Sequence, residues 1–206
     1  LDKMTSPEIA RQFLAILGYT PETRRAAGGL LVDSSKLHIK ECLGYLLMLN
    51  GYGMKEASAI LEKIWYEPPL EPTDVIPGVV DAIRELKSKH LHIAINTSDT
   101  RDACREFLDC SKLDDCVDLI SCAEDADRHP KPLPHTCTPQ QTMVVGDSPA
   151  DLLSGRAAGV RLTVGVLSGF SLAHNLLSYA NVLVPNATYL PHLIQLDWGN
   201  GNVRAQ

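Results

Sequence analysis

Over the first third of the chain apolar residues recur with the period of an α-helix. Ile9, Phe13, Ile16 and Leu17 share one helical face, and Thr5-Ser6-Pro7-Glu8 marks the helix start, with Glu three residues after Thr. Turn formers follow at Gly18-Tyr19-Thr20-Pro21 and Gly28-Gly29. The pattern then predicts a second helix from about Ser35 to Leu49 and a third from Met54 to Tyr66. Residues 5–70 are therefore expected to form an all-helical lobe. The stretch Glu67-Pro68-Pro69-Leu70-Glu71-Pro72, with Pro77-Gly78 after it, has the stiff composition of a linker.

Beyond the linker, short β-branched runs alternate with helical stretches. Helix is predicted near Val79 to Lys89, strand at Leu91–Asn96, helix near Arg101 to Leu108, and strand at Val117–Ser121. Next come strand Thr142–Val145, helix Ala150–Ala158, strand Leu162–Val166, helix near Leu172 to Tyr179, a short strand Val182–Val184 and a closing helix near Leu190. Such alternation specifies an α/β fold, a Rossmann-like parallel sheet with helices on both faces, over residues 71–206 together with 1–4. One connection breaks the rule. Parallel neighbours need a crossover, usually a helix, yet Cys122 to Gln141 carries Pro130, Pro132, Pro134 and Pro139 and no apolar helical period.

Composition narrows the partners. The 206 residues are 45% hydrophobic, enough to bury a core, and no apolar run reaches membrane-spanning length. The opening Leu1-Asp2-Lys3-Met4-Thr5 lacks the layout of a signal peptide, so a soluble cytoplasmic protein without a membrane partner is expected. A net charge of -6 and a single Arg pair, Arg24-Arg25, argue against nucleic acid. Cys42, Cys104, Cys110, Cys116, Cys122 and Cys137 contain no C-x-x-C pair and are expected to be reduced, mostly packed thiols. Their spacing of six from Cys104 to Cys122 gathers them on no single helix or strand face. His90 and His92 read as a solvated strand entry.

Chemistry concentrates at strand ends. Thr142–Val145 runs into Gly146-Asp147-Ser148-Pro149-Ala150-Asp151, which places Asp147 on the carboxyl edge of a sheet and Asp151 in the first turn of a helix capped by Ser148. Two such carboxylates are hard oxygen ligands suited to Mg2+; the plainer reading is that Asp147 caps the helix and Asp151 favours its dipole. Thr97 and Ser98 end another strand, and Lys131 lies in the loop after a third. Hydroxyls and backbone N–H groups bind phosphoryl oxygens, an ammonium neutralises their charge, and carboxylates hold the metal, so together these types make a phosphate site.

On these residues the chain resembles the haloacid dehalogenase-like hydrolase superfamily, in particular its phosphoglycolate phosphatase-like members. The resemblance rests on Ile95-Asn96-Thr97-Ser98, Lys131-Pro132-Leu133-Pro134-His135 and Gly146-Asp147-Ser148-Pro149-Ala150-Asp151. Gly155-Arg156-Ala157-Ala158-Gly159, the segment Thr163 to Gly169 and the helical lobe, placed like the family's inserted cap, support it. It implies a Mg2+-dependent phosphatase acting on a small phosphorylated metabolite through an aspartyl-phosphate. Thr97 would bind the phosphoryl group with Ser98, Lys131 would steady nucleophile and phosphate, and Asp147 and Asp151 would position the metal. Selectivity would come from the cap.

The family's first motif is an apolar strand ending D-x-D-G-T. Asp2 matches the nucleophile, and a metal ligand, by position, but Met4 stands where the second Asp belongs, and a thioether cannot shuttle a proton. The family's helix before the fourth motif is the crossover missing above. The two losses suggest a shortened product of a longer gene or an incomplete gene model, and with them a second reading: a catalytically silent binding or regulatory module. Loss of a central strand would also uncover sheet faces and ladder groups, so poor solubility or partial folding is expected. A dinucleotide site is disfavoured because no G-x-G-x-x-G follows a strand, and a Ser hydrolase because no G-x-S-x-G occurs.

Overall fold

The computed structural model describes residues 6–26, 28–34, 36–65, 71, 74–125 and 137–198. Its first helix, α1 (Pro7–Leu17), is capped by Ser6 rather than Thr5: the Ser6 hydroxyl accepts the Ile9 N–H at 3.3 Å, and Pro7 occupies the first turn. Short α2 (Leu30–Asp33), α3 (Lys36–Leu49) and α4 (Met54–Ile64) follow. Ile9 and Phe13 of α1, Ile39, Leu43 and Leu47 of α3, and Ala57, Ile60 and Leu61 of α4 close one apolar core.

This lobe is not all-helical as its pattern suggested. Between α1 and α2, β1 (Tyr19–Thr20) and β2 (Arg25–Ala26) pair antiparallel, Tyr19 opposite Ala26 and Thr20 opposite Arg25. Strands of two residues are too short to show alternation. The glycines hold the hairpin's base: a Cβ on Gly18 would lie 1.8 Å from the Gly28 carbonyl oxygen, and both residues have positive φ.

The rest alternates as expected: α5 (Val79–Ser88), β3 (Ala94–Asn96), α6 (Arg101–Ser111), β4 (Leu119–Ser121), β5 (Met143–Gly146), α7 (Pro149–Ala157), β6 (Leu162–Val166), α8 (Ala173–Leu176), β7 (Val182–Val184) and α9 (Leu190–Trp198). The helix expected from Leu172 to Tyr179 is the single turn α8. Between β4 and β5 the described residues form only 3-10 turns at Ala123–Asp125 and Pro139–Gln141; 126–136 lie outside them. No helix of the described residues is long and apolar enough to cross a membrane.

The chain divides into two compact units, residues 1–69 with 138–183, and residues 70–137 with 184–206. In the first, β5 and β6 run parallel from Met143 opposite Leu162 to Gly146 opposite Gly165, and the sheet order is β5-β6-β7. Their crossover helix α7 lies so close that a Cβ on Gly155 would sit 2.9 Å from Cβ of Val144 and 3.1 Å from Cγ2 of Thr163. In the second unit β3 and β4 run parallel, Ala94 opposite Leu119 and Asn96 opposite Ser121, with α6 as crossover. Among the described residues these are separate sheets. The strands of β3–β4 bury Ile95 and Ile120 partly against a core of Cys104, Leu108, Leu113, Cys116 and Cys122, while Ala94, Asn96 and Leu119 are exposed on the opposite face. Parallel sheets are ordinarily covered on both faces. Folding thus gathers three cysteines that sequence spacing kept apart, and burial, then the neighbouring Cys122 thiol, push the Cys104 thiol up.

Both β3 and β4 start later than their apolar runs, and a side chain takes one of the bonds just before them. The Asp118 N–H donates to the Ile93 carbonyl at 2.8 Å, its Oδ2 accepts the Ile93 N–H at 2.8 Å, and Lys87 Nζ donates to its Oδ1 at 2.6 Å. His92, at the exposed strand entry, lies 3.8 Å from the same carboxylate. The Lys87 bond, then the Ile93 N–H, hold the Asp118 carboxyl below its ordinary range. A depressed value in the folded state stabilises the fold above the unfolded pKa, about 3.9, and that contribution disappears as pH falls through the folded value. Asp118→Asn keeps an acceptor for Ile93 but removes the charge, and at a site one-third exposed it should cost about 1 kcal/mol in urea unfolding at neutral pH. The gap from wild type should close as the pH is lowered past 4; a gap constant with pH would show that the charge plays no part.

Candidate functional site

Strand β5 is half-buried along its length and ends at Gly146, from which the chain turns directly into α7. Ser148 caps that helix: its hydroxyl accepts the Asp151 N–H at 3.2 Å, and Asp151 Oδ2 in return accepts the Ser148 N–H at 3.1 Å and the Ser148 O–H at 2.9 Å. This reciprocal cap holds the Asp151 carboxylate back over the strand end. Gly146 is required there, since a Cβ on it would lie 2.2 Å from Asp151 Cβ and 2.5 Å from its Oδ2.

Asp147 is held from the neighbouring strand end. The loop after β6 brings the Phe170 N–H to Asp147 Oδ2 at 3.0 Å, and a Cβ on Gly169 would fall 1.7 Å from that same oxygen. Both acids therefore rest against glycine backbone at the carboxyl ends of adjacent parallel strands, the edge where α/β sheets bind ligands. Each is fixed through Oδ2, and among the described residues no donor takes Oδ1 of either. The cap role of Asp151 uses only its Oδ2 among the described residues. Two hard carboxylates in a cradle too tight for a Cβ fit a cation such as Mg2+, which keeps several waters and needs few protein ligands. Among the described residues no group of three or more His, Cys, Asp and Glu could hold a metal, so a third protein ligand would come from elsewhere.

Thr97 and Ser98 sit at the end of β3, in the second unit. The Thr97 N–H donates to the Ser121 carbonyl at 2.9 Å, and its Oγ1 accepts the Asp99 N–H at 3.1 Å, which leaves the hydroxyl proton for a ligand. The loop is tied to the end of β4. Ala123 N–H donates to the Asp99 carbonyl at 2.9 Å, the Arg101 N–H bonds to Glu124 at 3.1 Å, and the Arg101 guanidinium pairs with Asp125. Asp2 and Lys131 lie outside the described residues, as do Met4 and the Pro132 and Pro134 of the third motif. The structure thus brings Asp147 and Asp151 together and places Thr97 and Ser98 on a strand end of their own.

Sequence reasoning missed the Phe170 N–H and Arg25, whose guanidinium bonds to the Gly169 carbonyl. Backbone groups leave no residue signature, and only the Gly169 closing the segment from Thr163 hinted at a close approach. Gly146→Ala and Gly169→Ala should each cost about 1–3 kcal/mol in chemical denaturation, because the added methyl displaces a carboxylate or its loop. Stability equal to wild type in both would show that the carboxylates are not held as described.

The chain is similar to known hydrolases in sequence and in fold. Pyrophosphatase PpaX of Bacillus mycoides is 32% identical over 96 residues, 43% of this chain and 44% of that protein. Phosphoglycolate phosphatase of Aquifex aeolicus is 25% identical over 120 residues, 54% of this chain and 56% of that protein. The chain thus matches about half the length of these curated relatives. In fold it is similar to a predicted phosphoglycolate phosphatase from Haemophilus somnus, with a TM-score of 0.60 at 15% identity over 92% of this chain and 91% of that one. A family profile matches residues 48–165, from the end of α3 through β3, Thr97, Asp147 and Asp151 to Gly165 on β6, more than half of the sequence. With its two acids at the end of β5 inside that match, the chain belongs to the haloacid dehalogenase-like hydrolase family.

Proposed function

We propose that the protein is a Mg2+-dependent phosphatase acting on a small, phosphoglycolate-like phosphomonoester through an aspartyl-phosphate. The observation that carries this reading is the pair Asp147 and Asp151 at the edge of a parallel sheet, each anchored through Oδ2, with no donor among the described residues on the other oxygen. The names of the two curated relatives, a pyrophosphatase and a phosphoglycolate phosphatase, support phosphoryl transfer as the chemistry. A bound Mg2+ would neutralise phosphoryl charge as a Lewis acid.

The chain's own groups would act as follows. A carboxylate oxygen of Asp2 attacks phosphorus and the ester P–O bond breaks. The leaving oxygen takes a proton from solvent, and water then releases inorganic phosphate and restores Asp2. Thr97 and Ser98 donate to phosphoryl oxygens, Lys131 offsets their charge, and Asp147 and Asp151 hold the metal. The lobe of residues 5–70 serves as the cap over the α/β core and selects the substrate. A cytoplasmic setting, with neither nucleic acid nor membrane as partner, fits the composition. Met4 in place of a proton-shuttling acid favours the second reading, a silent module that keeps metal and phosphate binding.

Phosphate release from an aryl phosphate and from phosphoglycolate, with and without Mg2+, separates the two. The phosphatase reading expects Mg2+-dependent turnover that Asp2→Asn and Asp147→Asn each abolish. Because Met4 delivers no proton, the aryl phosphate, whose leaving group is stable as an anion, should turn over faster than phosphoglycolate. No turnover by a folded protein would leave the binding module.

A further inference from the structure

A single peptide group joins the small hairpin to the proposed metal ligand. The Gly169 carbonyl and the Phe170 N–H are the two ends of one planar amide. The carbonyl accepts from the Arg25 guanidinium, and the N–H donates to Asp147 Oδ2 at 3.0 Å. The next carbonyl, that of Phe170, accepts the Ala26 N–H at 3.3 Å, so consecutive residues of β2 grip consecutive residues of the loop. Ala26 is fully buried and Arg25 half-buried, which shields the bonds from β2, while the Phe170 N–H bond to Asp147 is exposed.

We propose that Arg25 is a positioning residue for Asp147, acting through the Gly169–Phe170 peptide; this rests on Asp147 being a metal ligand. The physical reasons are two. A trans amide points its oxygen and its N–H in opposite directions, so fixing the oxygen on Arg25 aims the N–H at the carboxylate. A cation on the carbonyl also polarises the amide and strengthens its N–H as a donor. The peptide cannot back away behind a side chain, because position 169 has room only for glycine against Asp147. The result is that Asp147 Oδ2 is held and Oδ1 is presented to the cation. Partners that orient a metal ligand without touching the metal carry a large share of its affinity. Arg25 is on the helical lobe and Asp147 on the α/β sheet, so the hairpin's docking is felt at the ligand.

The test is Mg2+ titration by calorimetry, with no substrate present, on the full chain and its variants. Arg25→Ala should weaken binding roughly 10-fold. Arg25→Lys, which still donates to the carbonyl, should recover part of the loss, and Arg24→Ala, at an exposed neighbour, should leave affinity unchanged. In 15N-labelled protein the Phe170 amide proton should move upfield in Arg25→Ala, a shift that general loosening of the hairpin would not confine to that amide. Asp147→Asn separates the two levels of the argument. If it abolishes binding while Arg25→Ala binds as wild type does, the Arg25 role is wrong and the site stands. If wild type and Asp147→Asn bind alike, or neither binds, the site itself is wrong and the inference falls with it.

Discussion

The contact between carboxylate and glycine backbone at the end of β5 is the constraint on which the rest of this site depends. Asp151 folds back over Gly146 and Asp147 lies against Gly169, at separations that admit no Cβ. Such closeness is possible only because α7 starts at once after β5 with a reciprocal Ser148–Asp151 cap, and because β6 ends in register beside β5. Strand, cap and loop are mutually dependent. A shift of any one would expose a carboxylate without its donor or drive it into backbone.

The second unit fixes its strand end differently. Thr97 and its loop are fixed by backbone bonds to Ser121 and Ala123 and by the Arg101 contacts with Glu124 and Asp125. Among the described residues β3-β4 and β5-β6-β7 are separate sheets, and α6 and α7 are the crossovers of their β3–β4 and β5–β6 pairs. Ala94, Asn96 and Leu119 on β3–β4 are exposed, whereas Ile95 and Ile120 are partly buried.

Local features were legible in the chain and distant ones were not. β6 and β7 occur where their β-branched runs lie, and α7 starts one residue earlier than expected, because strand length and a Ser-Pro start are written within a few residues. The Asp118 side chain takes the Ile93 N–H just before β3 from 25 residues away, which no window of periodicity contains. The hairpin of Tyr19–Thr20 and Arg25–Ala26 was hidden by its length, and the meeting of Cys104, Cys116 and Cys122 by being tertiary. At the site the two acids were plain from spacing and resemblance. The groups that aim Asp147 are a backbone N–H and a guanidinium far off in sequence, and neither belongs to a pattern that sequence alone displays.

The central claim is that Asp147 and Asp151 form a divalent-cation cradle. Anomalous diffraction from crystals grown with Mn2+, a stand-in for Mg2+ with an X-ray signature, tests it most directly. The account predicts one strong peak within bonding distance of Asp147 and Asp151, on the Oδ1 side of each. A peak elsewhere, or none while both carboxylates keep their Ser148 and Phe170 bonds, would contradict it.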